Sequence, residues 1–219
     1  MIASEPPAQP AIDLAASGIA STTLAPIEPI ARRSRTRLRV LRQSTDVLDG
    51  GTVVVAGKLL AEKGTASLAG RMITLQAFGR RGWHALAHAH TVGSGHYRLR
   101  FRTRRTGSSR LRVRFAGDAL DAPAGRRLRR LNVYRLVEAS WYGGGGGLAC
   151  GGALRSSTLG VANRTLPCGT IVTLRYHGRS IRVPVVDRGP FVAGREFDLT
   201  EATKRALGFG DTGVVWSTR

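Results

Sequence analysis

Apolar and polar residues alternate along most of this chain, in runs too short for helices. Tyr97-Arg98-Leu99-Arg100-Phe101-Arg102 and Arg110-Leu111-Arg112-Val113-Arg114-Phe115 alternate strictly. A period of two puts Tyr97, Leu99, Phe101, Leu111, Val113 and Phe115 on a buried face, with Arg98, Arg100, Arg102, Arg112 and Arg114 on the outer one. Thr106-Gly107-Ser108-Ser109 reads as the turn between the two runs. Thr52 to Gly57 and Arg71 to Ala77 are further strands. Six or seven short strands between Asp46 and Tyr134 predict a β-sandwich of about 90 residues.

Further on, Ile171–Tyr176, His177-Gly178 and Arg179–Val186 form a predicted hairpin. Leu199 to Leu207 is the one convincing helix, stopped by Gly208. The fold class is therefore all-β. Residues 1–45 read as a Pro/Ala/Ser/Thr-rich disordered tail ending in the basic run Arg32 to Arg42. The first half of that run suggests a solvated arm and its alternating second half an edge strand. Five consecutive glycines, Gly143 to Gly147, follow Ser140-Trp141-Tyr142 and mark a shift in composition. The expected domains are 46–135 and 136–219.

Charge sharpens the division. The chain has 219 residues and a net charge of +20. Residues 1–30 carry three acids and no Lys or Arg; residues 31–135 carry 24 basic and 5 acidic residues; residues 136–219 carry 10 and 6. The field of the middle segment calls for an anionic partner: nucleic acid, a membrane surface or an acidic wall polymer. No aromatic interleaving or nucleic-acid-binding motif accompanies the arginines, which disfavours nucleic acid. No stretch is long enough to span a bilayer, and no secretory signal is visible after Met1. Cys150 and Cys168, the only cysteines, allow one disulfide and then an oxidising compartment; buried free thiols are the alternative. His84, His88 and His90 share strand parity, but Leu86 interrupts the set and a solvated face is the preferred reading. Neither a metal nor a cofactor is expected.

The chemistry points to Val185-Val186-Asp187-Arg188-Gly189-Pro190-Phe191 and Phe197-Asp198-Leu199-Thr200. Cleaving a polysaccharide needs at least one carboxyl that gives or takes a proton at the glycosidic oxygen. Asp198 and Glu201 have capping-box spacing, so Asp198 is also a candidate helix cap. Thr200 is an equally good N-cap, which leaves Asp198 free for a groove. Asp187 stands in a turn, where a carboxylate bonds backbone amides; at a groove edge it orients Asp198 or a sugar hydroxyl. Arg188 suits a lactyl or peptide carboxylate, or a salt bridge to Asp198 or Glu196. Trp141 and Tyr142 are candidates for stacking on sugar rings, or core aromatics.

Ala139-Ser140-Trp141-Tyr142-Gly143, Ala149-Cys150-Gly151-Gly152, Gly160 to Thr170, Val185 to Pro190 and Phe197 to Thr200 occur in that order. Together they resemble the double-psi β-barrel of the rare lipoprotein A family, which also resembles the barrel of expansins. The resemblance covers about residues 137 to 217 and implies a six-stranded barrel with an open glycan groove. Active members are lytic transglycosylases acting on peptidoglycan; others bind or loosen wall polymers. Asp198 is then the acid/base and Asp187 its support, with Trp141, Tyr142, Asn163 and Arg188 as substrate contacts. Asn163 stands where the family often has a histidine, and an amide does not shuttle protons near neutral pH. The family's acidic residue in the loop after the first strand has no counterpart between Gly143 and Leu159.

The preceding segment resembles bacterial immunoglobulin-like modules through Val55-Ala56-Gly57, Ile73-Thr74-Leu75-Gln76, Gly82-Trp83 and Arg112 to Asp118. The expectation is an exported cell-wall protein whose partners are peptidoglycan glycan strands and, through the arginine face, anionic wall polymers. It is either a lytic transglycosylase or a non-catalytic, expansin-like binding module.

Overall fold

The computed structural model describes residues 33–62 and 68–219; of the tail expected over residues 1–45, residues 1–32 lie outside the described residues. In chain order the first strands are β1 (Thr36–Ser44), β2 (Asp46–Leu48), β3 (Thr52–Ala61), β4 (Met72–Gly79), β5 (Gly82–His90), β6 (His96–Arg102), β7 (Gly107–Ser109), β8 (Leu111–Phe115) and β9 (Ala124–Arg127). They make a three-stranded sheet, β1-β3-β6, and a four-stranded sheet, β5-β4-β8-β9. Inward residues of both, among them Val53, Val55, Leu59, Ile73, Leu75, Leu99 and Val113, share one core. Alternation dictates this: Val55 and Leu99 are paired across β3 and β6 and both are fully buried. Gly57 on β3 has no alternative, because a Cβ there would stand 2.4 Å from the Tyr97 hydroxyl.

Three features differ from the sequence reading. The strand β1 takes in Thr36–Ser44, so the first sheet begins ahead of the expected boundary at 46. Gly107–Ser109 is no hairpin turn but strand β7, and β6 and β8 lie in different sheets. The arginines of β6 and β8 therefore face out from opposite sides of the sandwich. Finally, an irregularity in β5 at Leu86 leaves Thr74 opposite His88 but Ala77 opposite His84. The extra residue turns His84 to the other face from His88 and His90.

The second half contains β10 (Leu131–Tyr142), β11 (Val161–Ala162), β12 (Ile171–Tyr176), β13 (Arg179–Asp187), β14 (Phe197–Thr200), helix α1 (Glu201–Leu207) and β15 (Thr212–Ser217). Strand order β14-β11-β13-β12-β15-β10 is closed by a parallel pairing of β10 with β14. Six strands thus form a barrel with no free edge, around Val161, Val172, Leu174, Val185, Phe197, Leu199 and Val215. The β12–β13 hairpin turns at His177 and Gly178, both at positive φ (43° and 83°), as a two-residue turn requires.

The two halves share β10. Its first part pairs with β2 and β7, and its second with β14 and β15. At the join the fully buried Tyr134 donates to Asp46, which also accepts from Asn132, and the Tyr134 ring lies 5.7 Å from that of Trp216. The described residues form one unit. No helix among the described residues is long and apolar enough to cross a membrane.

Candidate active site

Four neighbouring strands carry the candidate residues. In register, Ser140 on β10 lies opposite Asp198 on β14, and Asp198 lies opposite Ala162 on β11. Across the next pairing Val161 meets Val185, but an extra residue follows and Ala162 meets Asp187. That irregularity brings Asp187 rather than Val186 into the row. Phe197 and Leu199 point into the core, so Ser140, Asp198 and Ala162 point out. The backbones of the two aspartates are separated by two strand spacings, about 10 Å, with the buried Ala162 between them in register.

Each carboxylate is held. The Ser140 hydroxyl donates to Asp198 Oδ1. Asp187 Oδ1 accepts from the backbone N–H groups of Ala149 (2.9 Å) and Arg188 (2.8 Å). The loop that supplies Ala149 is tied down by the Cys150–Cys168 disulfide, which the structure contains, and by Cys150 N–H donating to Val186 O. Asp198 does not cap the helix. The Thr200 side chain is the N-cap, accepting from Thr203 N, and its hydroxyl also bonds Gly160. Glu201 pairs with Arg205 instead of completing a capping box.

Tyr142 belongs with the carboxylates. It follows Ser140 by two residues on β10 and so shares its face. Burial first, then the charges of Asp187 and Asp198, hold its phenol well above the usual tyrosine range. Its buried hydroxyl lies by Asp187 yet makes no hydrogen bond of good geometry. Trp141 points the other way. Its ring is 37% exposed, carries Lys204 Nζ at 3.7 Å from its centroid, and donates from Nε1 to Asp211. It is not a core aromatic, and its polar partner is Asp211 rather than Asp187 or Asp198.

Two expected substrate contacts are already engaged. Asn163 is 4% exposed. Its Nδ2 donates to Glu196 O (3.0 Å), and its Oδ1 accepts from Thr165 N (3.1 Å) and Leu166 N (2.8 Å). That amide folds a loop and has no acceptor left for a sugar. Arg188 Nη1 donates to the carbonyls of Asn163 and Leu166 (3.1 and 3.0 Å), and Nη2 reaches Cys168 Sγ. It meets neither Asp198 nor Glu196; Glu196 is held by Arg135. Sequence reasoning missed Ser140, whose parity with Tyr142 was the available signal. It also passed over Phe191, which is 83% exposed four residues beyond Asp187. Among the described residues no group of three His, Cys, Asp or Glu side chains converges to hold a metal.

A closed six-stranded barrel bearing two outward aspartates two strands apart, on β13 and β14, offers carboxyl groups of the kind acid–base chemistry uses. Comparison with known proteins gives its type. Residues 135–216 match the family described as Lytic transglycolase. The chain is similar to a probable endolytic peptidoglycan transglycosylase RlpA of Synechocystis sp., 37% identical over 42% of this chain and 33% of that protein. It is 42% identical to the Aquifex aeolicus protein of the same name, over 35% of this chain and 36% of the relative. The endolytic peptidoglycan transglycosylase RlpA of Pseudomonas aeruginosa is 38% identical over 38% and 26%. The chain spans about a third of the length of the first two relatives. The barrel is therefore a rare-lipoprotein-A-like double-psi β-barrel. A solved structure, the Streptomyces papain inhibitor, is 24% identical over 39% of this chain and 94% of that one, with a TM-score of 0.32, too slight a likeness to bear on fold or function.

Proposed function

We propose that this protein cleaves peptidoglycan glycan strands as a lytic transglycosylase. The observation that carries the reading is the outward row of Ser140, Asp198, Ala162 and Asp187, set on a barrel that matches the lytic transglycolase family. In the proposed reaction the Asp198 carboxyl gives its proton to the glycosidic oxygen as the bond to C1 breaks. The resulting carboxylate takes the proton of the muramic acid C6 hydroxyl, which closes on C1. The product is a 1,6-anhydro sugar, and no water is consumed. Such a route needs one carboxyl acting as acid and then base, whereas inverting hydrolysis needs a second one that activates water. Asp187 and the Tyr142 hydroxyl support Asp198 from the β13 side. Phe191 offers an exposed ring face for a sugar.

In this reading the protein works outside the cytoplasm, where the disulfide persists, and the segment from β1 to residue 135 forms an immunoglobulin-like module beside the barrel. A second reading, a binding module that grips glycan without cutting, is favoured by one observation: Asn163 is an amide, held within the loop it folds, and has no proton to transfer near neutral pH. Mass spectrometry of soluble products from intact and peptide-stripped sacculi separates the two. Anhydro-muropeptides or anhydro-glycans should appear with wild type and fall by at least about 100-fold in Asp198→Asn. Glycan pull-down without products, equal in both proteins, refutes cleavage and leaves the binding module.

A further inference from the structure

The two arginine-bearing sheets of the sandwich treat their charges differently. On β5-β4-β8-β9, Arg110 lies over Phe78 (3.9 Å) and Arg112 over Trp83 (4.1 Å), and Arg112 Nε also donates to Gln76. Those guanidinium groups are engaged within the sheet. On β1-β3-β6 they are not. Strand β1 presents Arg37, Arg39 and Arg42 outward, opposite Leu60, Lys58 and Ala56 of β3. Strand β6 presents Arg98, Arg100 and Arg102 outward, opposite Ala56, Val54 and Thr52. All six arginines are exposed, and none forms an ion pair among the described residues. Arg102 alone is anchored, to the Gly50 carbonyl.

The layout is a trough. Short side chains, Val54 and Ala56, line the middle strand as far as Lys58 and Leu60, which close one end, and long cationic ones rise from the strands on either side. The flanking strands are about 10 Å apart, and successive outward arginines along β6 are about 7 Å apart. Like charges on paired strands repel, and no acidic residue stands among the paired positions of the three strands; Glu62, just past β3, pairs with Arg35. The outward positions of the three strands include no Phe, Tyr or Trp, and the single ring there, His96, stands at the end of β6 rather than between the arginines, so no platform for successive bases is present.

We propose that the outer face of β1-β3-β6 binds a linear phosphodiester polymer without bases, laid along β3 with its phosphates gripped by arginines from both sides. Guanidinium groups fit phosphate bidentately, and a repeating polyanion is complementary to two repeating cationic rows. The site is separate from the aspartate row and stands or falls independently of the barrel's activity.

The probe is purified, lipid-free poly(glycerol phosphate), titrated into the full chain by calorimetry at 50, 100 and 200 mM NaCl. Binding should weaken steeply with salt, as release of counterions from several phosphate contacts requires. Replacing Arg39, Arg42, Arg98 and Arg100 by Ser should weaken binding at 100 mM NaCl by at least about tenfold. Removing the same charge from the other side (Arg80, Arg81, Arg114 and Arg127 to Ser) should change it by less than about threefold. Lysine at the first four positions keeps the charge and the strand faces, and should give an intermediate loss. Equal loss in both serine variants overturns the proposal in favour of diffuse charge. So does single-stranded DNA of matched charge binding as tightly, or anionic phospholipid vesicles binding where the polymer does not, or no binding by wild type.

Discussion

Replacing Asn163 with alanine separates a folding role from a glycan role. The amide lies in a 4% exposed position and makes three hydrogen bonds, to Glu196 O, Thr165 N and Leu166 N. The alanine variant leaves one carbonyl and two N–H groups of a half-buried loop without partners. Each orphaned group costs about 1 kcal/mol in such a setting, so the total is about 3 kcal/mol. For a chain of this size that lowers the thermal midpoint by about 6–12 °C. Scanning calorimetry reads the midpoint, and pull-down on peptide-stripped sacculi, well below it, reads the glycan. The expected result is a large fall in midpoint with glycan capture retained. An unchanged midpoint together with lost capture would refute the reasoning and return Asn163 to the groove.

Breaking the Cys150–Cys168 bridge by double substitution to serine frees a loop with a sequence separation of 18, and should cost about 3 kcal/mol in a urea titration; an unchanged midpoint would count against loop closure as its contribution. Tyr142→Phe removes a buried hydroxyl that has no hydrogen bond; stability should hold or rise by up to about 1 kcal/mol while product release from sacculi falls, and a loss of stability would mean that the phenol has a structural partner. Burial pushes the Tyr97 phenol up to about 12, and Tyr134 and Tyr142 are also raised, again by burial first. A phenol raised on folding binds its proton more tightly in the native state, so its contribution to stability is complete below the unfolded value near 10 and is lost as pH climbs towards the folded one. Urea midpoints should therefore fall between pH 9 and pH 11, and ultraviolet titration of the native protein should show these three phenols intact at pH 10.5; native phenolates at that pH contradict the burial.

Much of the fold was legible because alternation reports burial directly. Tyr97, Leu99, Leu111, Val113 and Phe115 are buried as their parity requires, and the His177-Gly178 turn and the Gly208 stop lie where their backbone demands put them. Alternation does not say which sheet a strand joins, so β6 and β8 were read as one hairpin. Nor does it show where a residue is inserted. The irregularities beside Val186 and Leu86 carry no mark in composition, yet one brings Asp187 into the row and the other turns His84 away from its fellows. At the site, Asp187 and Asp198 were visible as residue types. The engagement of Asn163 and Arg188 was not, because most of their partners are backbone atoms, one of them 33 residues away.

The strand common to both halves imposes a rule on how this chain can vary. Leu131 and Val133 fill the sandwich core, and Val137 and Ala139 fill the barrel core; all four are odd-numbered positions of one unbroken strand. Inserting or deleting a single residue between Val133 and Val137 would invert every side chain on one side of the change, turning Val137 and Ala139 to solvent or Leu131 and Val133 out of their core. Where a flexible tether tolerates any length, this join tolerates only even steps, and each step would still have to keep Tyr134 against Asp46 and Trp216. The two modules are thus phase-locked, and a graft of either onto another partner would have to carry β10 with it.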